Sequence, residues 1–537
     1  MTATAPEKKR NVLPERSEID PRDRWDLSDL YEDEAGWEKD FAALEAMIPE
    51  LASWRGRLGE SAEGLRTFFD LDVRADRLFG KLHTWAGRKS DEDLSNSHYR
   101  GLLERVRNLH TRLAEATAFV RPELMAIDDE RMARWLQSET LAPYRFQLEK
   151  ILRYKPHTLT EGEERLLAMS GDMAQAPFEA FGQLNNADLR FGFIETPEGE
   201  VEITHASYGS FLTRPERPLR KAFFERYYAG YEAHKHTLAA TLAGGVKRNV
   251  FYAKARRFPS ARAAALFGNN VPEAVYDNLI AAVHEKLPAL YRYYALRKRV
   301  LGLDELHFYD VMVPLVPDLE CHYRYEEAVE LVARAVQPLG AEYVQTLREG
   351  LLGGWVDRYE NRGKRSGAYS SGCYDSRPYI LMNYRGDNLN DVYTLAHEAG
   401  HSMHSWYSRR AQPPQYAGYS IFVAEVASTF NEELLTHHLL EAESDPRMRA
   451  YVVNRAIDDI RSTLFRQVMF AEFEHRIHER AERGEPLSLA DLQTHYHEIL
   501  ERYYGEGFAL DPQLDLECLR IPHFYFNFYV FQYATGL

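Results

Sequence analysis

A mostly α-helical fold in two lobes is what this sequence predicts, and three observations predict it. Amphipathic stretches with apolar residues at helical spacing run through most of the chain, as in "LEAMIPELASWRGRL" and "YRGLLERVRNLHTRLAEATAFV". β-prone runs are short and few. At 537 residues the chain is too long for one small core, which favours two lobes or one large multi-helix body.

Taken in order, residues up to about Arg22 read as a flexible charged tail. From Trp25 to about Met169 the spacing is helical. Thr160 followed by Glu163 offers a capping box, the hydroxyl and the carboxylate each satisfying a free backbone N–H at a helix start. "DLRFGFIETPEGEVEITHASY" breaks the pattern: two apolar and β-branched runs flank a Pro-Glu-Gly turn, which predicts a hairpin. The lobe boundary is placed there, with residues 1–195 as an N-terminal helical lobe and 196–537 as a second lobe. Helices resume at "PLRKAFFERYYAGYEAHKH" and continue to about Gly302; "HFYDVMVPLVP" is loop or short strand. "SGAYSSGCYDSRPYILMNY" is a Gly/Ser-rich loop running into a β-prone stretch from Pro378 to Tyr384, a small β element just ahead of a histidine-rich segment.

Composition narrows the function. A net charge of −16 repels nucleic acid and anionic membrane, so neither is an expected partner. Three widely spaced cysteines with no C-x-x-C pair argue against a disulfide framework or a thiolate metal site and favour a cytoplasmic location. The opening residues carry no apolar signal segment, and no run of about 18 apolar residues predicts a membrane span.

"TLAHEAGHSMHSWYS" contains H-E-x-x-H. On a helix His397 and His401 sit about one turn apart, roughly 6 Å along the axis. Both imidazoles then project from one face and can reach one ion at about 2.0–2.1 Å. Glu398 stands beside the first of them, where it can face the water that the ion activates. Asn388 or Asn390 can cap this helix, and Val392, Leu395, Ala396, Ala399, Met403 and Trp406 form its apolar stripe.

His404 lies about 10.5 Å along the axis from His397, too far for a third ligand on a straight helix, and is read as buried or as supporting the ligands from behind. The third ligand is sought in "YSIFVAEVASTFNEELL", where Glu425 is an isolated carboxylate among Phe422, Val423, Ala424, Val426 and Ala427. Burying it is costly unless it is paired or binds metal. Two histidines on one helix and a glutamate on the next make the His₂Glu set of catalytic zinc, with one position left for water. Pairing of Glu425 with an arginine is the alternative. Glu432 either hydrogen-bonds the outer nitrogen of a ligand histidine or faces solvent.

"HEAGHSMHSWYS", "FVAEVASTFNE" and "IPHFYFNFYVFQYATG", in this order and spacing, resemble the M3 metallopeptidases, specifically the oligoendopeptidase F branch. The likeness is strongest from about Phe211 onward and extends to the layout of the N-terminal helices. It implies two helical lobes around a deep substrate channel, one Zn²⁺ at its base, and cleavage of internal bonds in short peptides in the cytoplasm. It implies His397, His401 and Glu425 as zinc ligands, Glu398 as catalytic base, and His523 with nearby tyrosines as the segment meeting substrate and the developing oxyanion. The family usually continues beyond "YATGL", which makes a shortened form the expectation.

Within "HFYFNFYVFQY" the polar aromatics alternate as in a strand, while Tyr525, Tyr529 and Tyr533 also repeat as in a helix. His523 and Tyr529 are the favoured oxyanion donors, then Tyr533, with Tyr525 as a substrate contact; an aromatic core with satisfied hydroxyls is the alternative. The strand after the Gly/Ser loop can pair with an extended peptide, and Gly367 and Gly372 would allow close approach; an ordinary loop is the other reading. A zinc carboxypeptidase or dipeptidyl carboxypeptidase stays open, with Arg377 or Arg385 holding a terminal carboxylate, as does an inactive metal- or peptide-binding protein.

Overall fold

The computed structural model describes residues 13–316 and 321–537. Among the described residues helix dominates, and the strands form three small sheets. Two compact units emerge, interleaved in sequence. The first draws on described residues within Met1–Lys155, Glu320–Ser420 and Ala424–Glu441; the second on Pro156–Leu319, Ile421–Val423 and Ala442–Leu537. The division expected near residue 195 therefore falls inside the second unit, and the chain re-enters the first unit for the histidine segment.

In the first unit, helices Glu34–Ala52, Ala62–Glu92 and Ser97–Thr117 pack on one another. Asp33, Ser61 and Asn96 cap them, each side chain accepting a backbone N–H of the first turn. Trp37, Leu44, Leu65, Phe68, Leu82, Val106 and Leu109 fill the core between them. Tyr379 and Leu381 belong to that same core. They lie on the middle strand of a three-stranded sheet, Tyr379–Leu381, which runs parallel to Val356–Asp357 and antiparallel to Tyr369–Ser371. Tyr369–Ser371 is thus an edge strand, whereas the strand expected to take a peptide, Pro378–Tyr384, lies mid-sheet with both of its edges already paired.

The expected tail needs correcting. Residues 1–12 lie outside the described residues; within 13–22, Arg16–Glu18 forms a 3₁₀ turn and Ile19 is buried, while most of the other side chains stay exposed. Arg16 donates to Asp357 at 2.9 Å and lies 3.3 Å from Glu92. Asp357 is fully buried and already paired with Lys364 at 2.7 Å; a second cation suits a carboxylate removed from water.

In the second unit, the 39-residue helix Arg217–Ala255 is the spine, packed by Gly171–Gln183, Arg466–Glu482, Leu489–Tyr504 and the 3₁₀ segment Pro512–Leu519. The capping box at Thr160 opens helix Glu161–Met169, and the hairpin is present as Phe193–Thr196 paired with Gly199–Glu202. No helix among the described residues is long and apolar enough to cross a membrane.

Candidate metal centre

Helix Leu389–Ala411 carries the H-E-x-x-H residues. Asn388 caps it by accepting from the N–H of Asp391 at 3.0 Å. Asp391 in turn accepts from the N–H groups of Arg385 and Gly386, and its charge suits the positive helix end. Leu389, Val392, Leu395, Ala396, Ala399 and Met403 are buried, which sets the face that turns inward and leaves His397 and His401 on a half-buried one.

The second helix, Ile421–Ala442, crosses it closely at Gly400. A Cβ at Gly400 would meet the Ala427 carbonyl oxygen at 2.5 Å and the Ser428 Cα at 2.7 Å, so only glycine admits this approach. Polar bonds tie the pair together: Asn431 Nδ2 donates to the Ala396 carbonyl at 3.2 Å, and the Tyr393 and Thr436 hydroxyls meet at 2.9 Å.

The crossing delivers Glu425 to the histidines. Its Oε2 lies 3.3 Å from His397 Nε2 and 3.2 Å from His401 Nε2. One donor atom from each of the three lies within 4.8 Å of the others. A tetrahedral ion with bonds of about 2.0–2.1 Å spaces its ligand atoms about 3.3–3.4 Å apart, which the two Glu425–imidazole separations match. Among the described residues no arginine or lysine pairs with Glu425; its other bond is from Ser428 Oγ at 2.8 Å. Glu432 Oε1 accepts from His397 Nδ1 at 2.7 Å, which turns the Nε2 lone pair toward the cluster. Burial lowers the His397 pKa, but hydrogen bonds to Glu425 and Glu432 carry it up to about 10. Hydrogen bonds from His397 and His401 hold the Glu425 carboxyl far below the usual range.

Glu398 is buried at 7% exposure, and its Oε2 has no hydrogen-bond partner. Burial raises its pKa; His397 and His401 oppose this, Glu425 adds to it, and the backbone N–H of Ser370 opposes it. Ser370 lies on the edge strand and meets Ser402 of the histidine helix, Oγ to Oγ, at 2.8 Å. Sequence reasoning missed Ser370, Ser402 and Gly400. The one available signal was a glycine inside H-E-x-x-H, where a helix otherwise gains from alanine.

The remaining predicted residues divide. His404 stacks on Tyr419, ring centroids 3.7 Å apart, and burial with the nearby His401 lowers its pKa. Gly367 has φ +83° and open space where a side chain would be. At Gly372 that space is filled by the Arg409 guanidinium, 2.7 Å from a notional Cβ, so the close approach there is internal. Of the two cations offered for a terminal carboxylate, Arg377 is held by Asp29 at 3.1 Å and Asp26 at 3.3 Å, while Arg385 is exposed, 3.9 Å from Asp387.

In the second unit, His523, Tyr529 and Tyr533 form their own cluster. His523 Nε2 is 3.1 Å from the Tyr533 hydroxyl, and Tyr529 lies parallel to His523 at 6.0 Å. Tyr525 departs from the expectation. It is 3% exposed, stacks on Phe181 at 4.6 Å and bonds Thr241 through its hydroxyl at 2.8 Å, a core residue and not a substrate contact. The segment is neither strand nor one helix: a 3₁₀ turn Pro522–Tyr525 and a short helix Phe531–Thr535 flank Asn527 and Phe528, both at positive φ, so neither periodicity applies across it.

A helical scaffold presenting two imidazoles and a carboxylate around one point, beside a buried glutamate, defines a metallopeptidase-type site. Comparison with known proteins gives the family. The model described as Peptidase family M3 matches residues 210–537, and that described as Oligopeptidase F matches 123–191. The chain is 46% identical to Oligopeptidase PepF of Bacillus subtilis, over 99% of this chain and 80% of that protein. It is 38% identical to an Oligoendopeptidase F homolog of Lactococcus lactis, over 97% and 87%. A solved structure from Chlamydophila abortus superposes with TM-score 0.92 at 41% identity, covering 98% of this chain and 88% of that one. Oligoendopeptidase-F from Enterococcus faecium gives TM-score 0.69 at 34% identity, covering 94% and 86%. The chain belongs to peptidase family M3 and is a metalloendopeptidase acting on oligopeptides.

Proposed function

We propose that this protein is a zinc-dependent endopeptidase that hydrolyses internal bonds of short peptides in the cytoplasm. The observation that carries the reading is Glu425 Oε2 at 3.3 and 3.2 Å from two imidazole nitrogens, beside the buried, unpartnered Glu398 Oε2. His397, His401 and Glu425 would hold the ion. When bound, zinc lowers the pKa of a water from 15.7 to about 7 and polarises the scissile carbonyl.

The chain's own residues do the rest. Glu398 takes the attacking water's proton on Oε2 and passes it to the leaving amine. Its burial, which raises its pKa, makes it a better base for that proton. Glu432 keeps His397 oriented through Nδ1. The outer edge of Tyr369–Ser371 offers backbone groups to an extended peptide, giving affinity with little demand on side-chain sequence. His523, Tyr529 and Tyr533 are assigned as hydrogen-bond donors to the developing oxyanion, where loss of one donor costs about 10²–10³ in rate. A cytoplasmic location is supported by three unpaired cysteines.

The test is cleavage of an internally quenched peptide blocked at both ends. Chelated protein should be inactive and zinc should restore it. Glu398→Gln should retain stoichiometric zinc and lose about 10³-fold or more in kcat. Normal turnover by Glu398→Gln would remove the base assignment, and cleavage only of peptides with a free C-terminus would make the enzyme an exopeptidase.

A further inference from the structure

Asn527 and Phe528 both adopt left-handed backbone, φ 49° and 57°. Asparagine tolerates this region better than most residues, but a bulky aromatic there is a genuine outlier. Two in succession persist only where the surroundings hold them. The surroundings here centre on Glu474 of helix Arg466–Glu482. Glu474 is 0% exposed, and its Oε1 accepts the backbone N–H of Phe528 at 2.6 Å. Its Oε2 has no hydrogen-bond partner.

A side chain kept only to fill volume at that position would be apolar, because a buried carboxyl with an orphan oxygen is costly. The single hydrogen bond it makes is the one to the turn. Burial pushes the Glu474 carboxyl up to about 8, and the Phe528 N–H only partly offsets this. Around it, the Phe528 ring wedges against His478 at 4.7 Å and Tyr276 at 5.7 Å. His478 donates through Nδ1 to the Glu474 carbonyl at 2.7 Å and accepts from Asn249 at 3.1 Å. Arg248 Nη2 fixes the upstream arm by donating to the Tyr525 carbonyl at 2.8 Å. The turn then brings Tyr529 parallel to His523 and the Tyr533 hydroxyl to His523 Nε2.

We propose that Glu474 is a positioning residue for peptide hydrolysis: by accepting the Phe528 N–H it holds the left-handed turn that sets Tyr529 and Tyr533 against His523. The inference rests on the reading of those three as oxyanion donors. It is tested with Glu474→Leu, similar in size but without an acceptor, Glu474→Gln, which keeps one, Tyr529→Phe, and the Leu/Phe double variant. Each is loaded with zinc and assayed for kcat and KM on the blocked peptide, with zinc content and thermal melting measured alongside.

Glu474→Leu should lower kcat about 10–100-fold with KM within about threefold and zinc unchanged, and Glu474→Gln should stay within about threefold of wild type. In the Glu474→Leu background Tyr529→Phe should cost under about threefold, against about tenfold or more alone, because the hydroxyl is already misplaced. If Tyr529→Phe is costly but Glu474→Leu is not, or the two losses multiply, the donor reading stands and the inference falls. If Tyr529→Phe, Tyr533→Phe and His523→Ala all keep wild-type kcat, the donor reading falls and takes the inference with it. Should Glu474→Leu not fold, Glu474→Met replaces it; if neither folds while Glu474→Gln does, the bond serves the unit as a whole and the proposal is overturned.

Discussion

Two buried or half-buried glutamates, one in each unit, hold their charge by different means. Glu517 is fully buried and accepts from Arg466 at 2.6 Å, Arg520 at 2.7 Å and the Tyr496 hydroxyl at 2.7 Å. Burial opposes its ionisation, but Arg466 and Arg520 bring its pKa down to about 2. Glu425 has a side chain 29% exposed and faces two imidazoles and a serine. Both carboxylates are held ionised, yet only one site can change partners. Guanidinium groups never give up their proton and have no lone pair to share. Imidazoles do both. The chemistry of the counter-groups, more than burial, separates a carboxylate that locks a fold from one that can accept a metal.

The sharpest challenge to this contrast is Glu425→Ala. It should abolish zinc retention and lower hydrolysis about 10³-fold or more, while the melting temperature of the metal-free protein falls far less than it does in Glu517→Leu. A large loss of metal-free stability would put Glu425 in the same class as Glu517.

Glu517→Leu should behave in the opposite way. Leaving two arginines buried without their carboxylate costs about 3–5 kcal/mol in urea unfolding, with zinc per folded molecule unchanged. The pH dependence follows from the sign of the shift. The folded pKa of Glu517 lies below the unfolded value, so its contribution is complete above about pH 4.3 and is lost as pH falls through about 2. Wild type should therefore lose stability more steeply than Glu517→Gln across that window, by at most about 1.4 kcal/mol per pH unit. Equal acid limbs in the two proteins would contradict the assignment.

The smallest effect is expected at Glu432, which touches the metal cluster through His397 Nδ1. Glu432→Gln should weaken zinc binding about 10–100-fold in competition with a fluorescent chelator and change kcat of the loaded enzyme far less. Unaltered zinc affinity would show that the His397 orientation is fixed by packing alone.

Regular helix made most of the metal centre legible. A helix repeats every 3.6 residues, so His397 and His401 had to share a face, and of the two candidate caps the structure uses Asn388. Glu425 stands out as a lone carboxylate in an apolar run, but the structure exposes Val423 and Val426 and leaves Glu425 half-buried, so the two imidazoles and not burial account for its place. The C-terminal segment resisted the same treatment. Its tyrosines fit two periods at once, and the backbone follows neither, because Asn527 and Phe528 reverse it through a conformation that side-chain spacing does not encode. Tyr525 was consequently assigned to substrate and belongs to the core. Residues 13–22 looked like solvent-facing charge because the buried Asp357 that Arg16 serves lies 341 positions away.

Local rules in the chain itself set the predominance of helix, the caps, the hairpin and the pairing of the two imidazoles on one helix face, since each depends on residues a few positions apart. Tertiary packing alone decided the crossing at Gly400 that carries Glu425 to its histidines, the interleaving of the two units and the Glu474 anchor beneath a left-handed turn. Those depend on which distant surfaces approach closely enough to exclude a methyl group or to trap a carboxyl away from water, and no spacing along the chain records that distance.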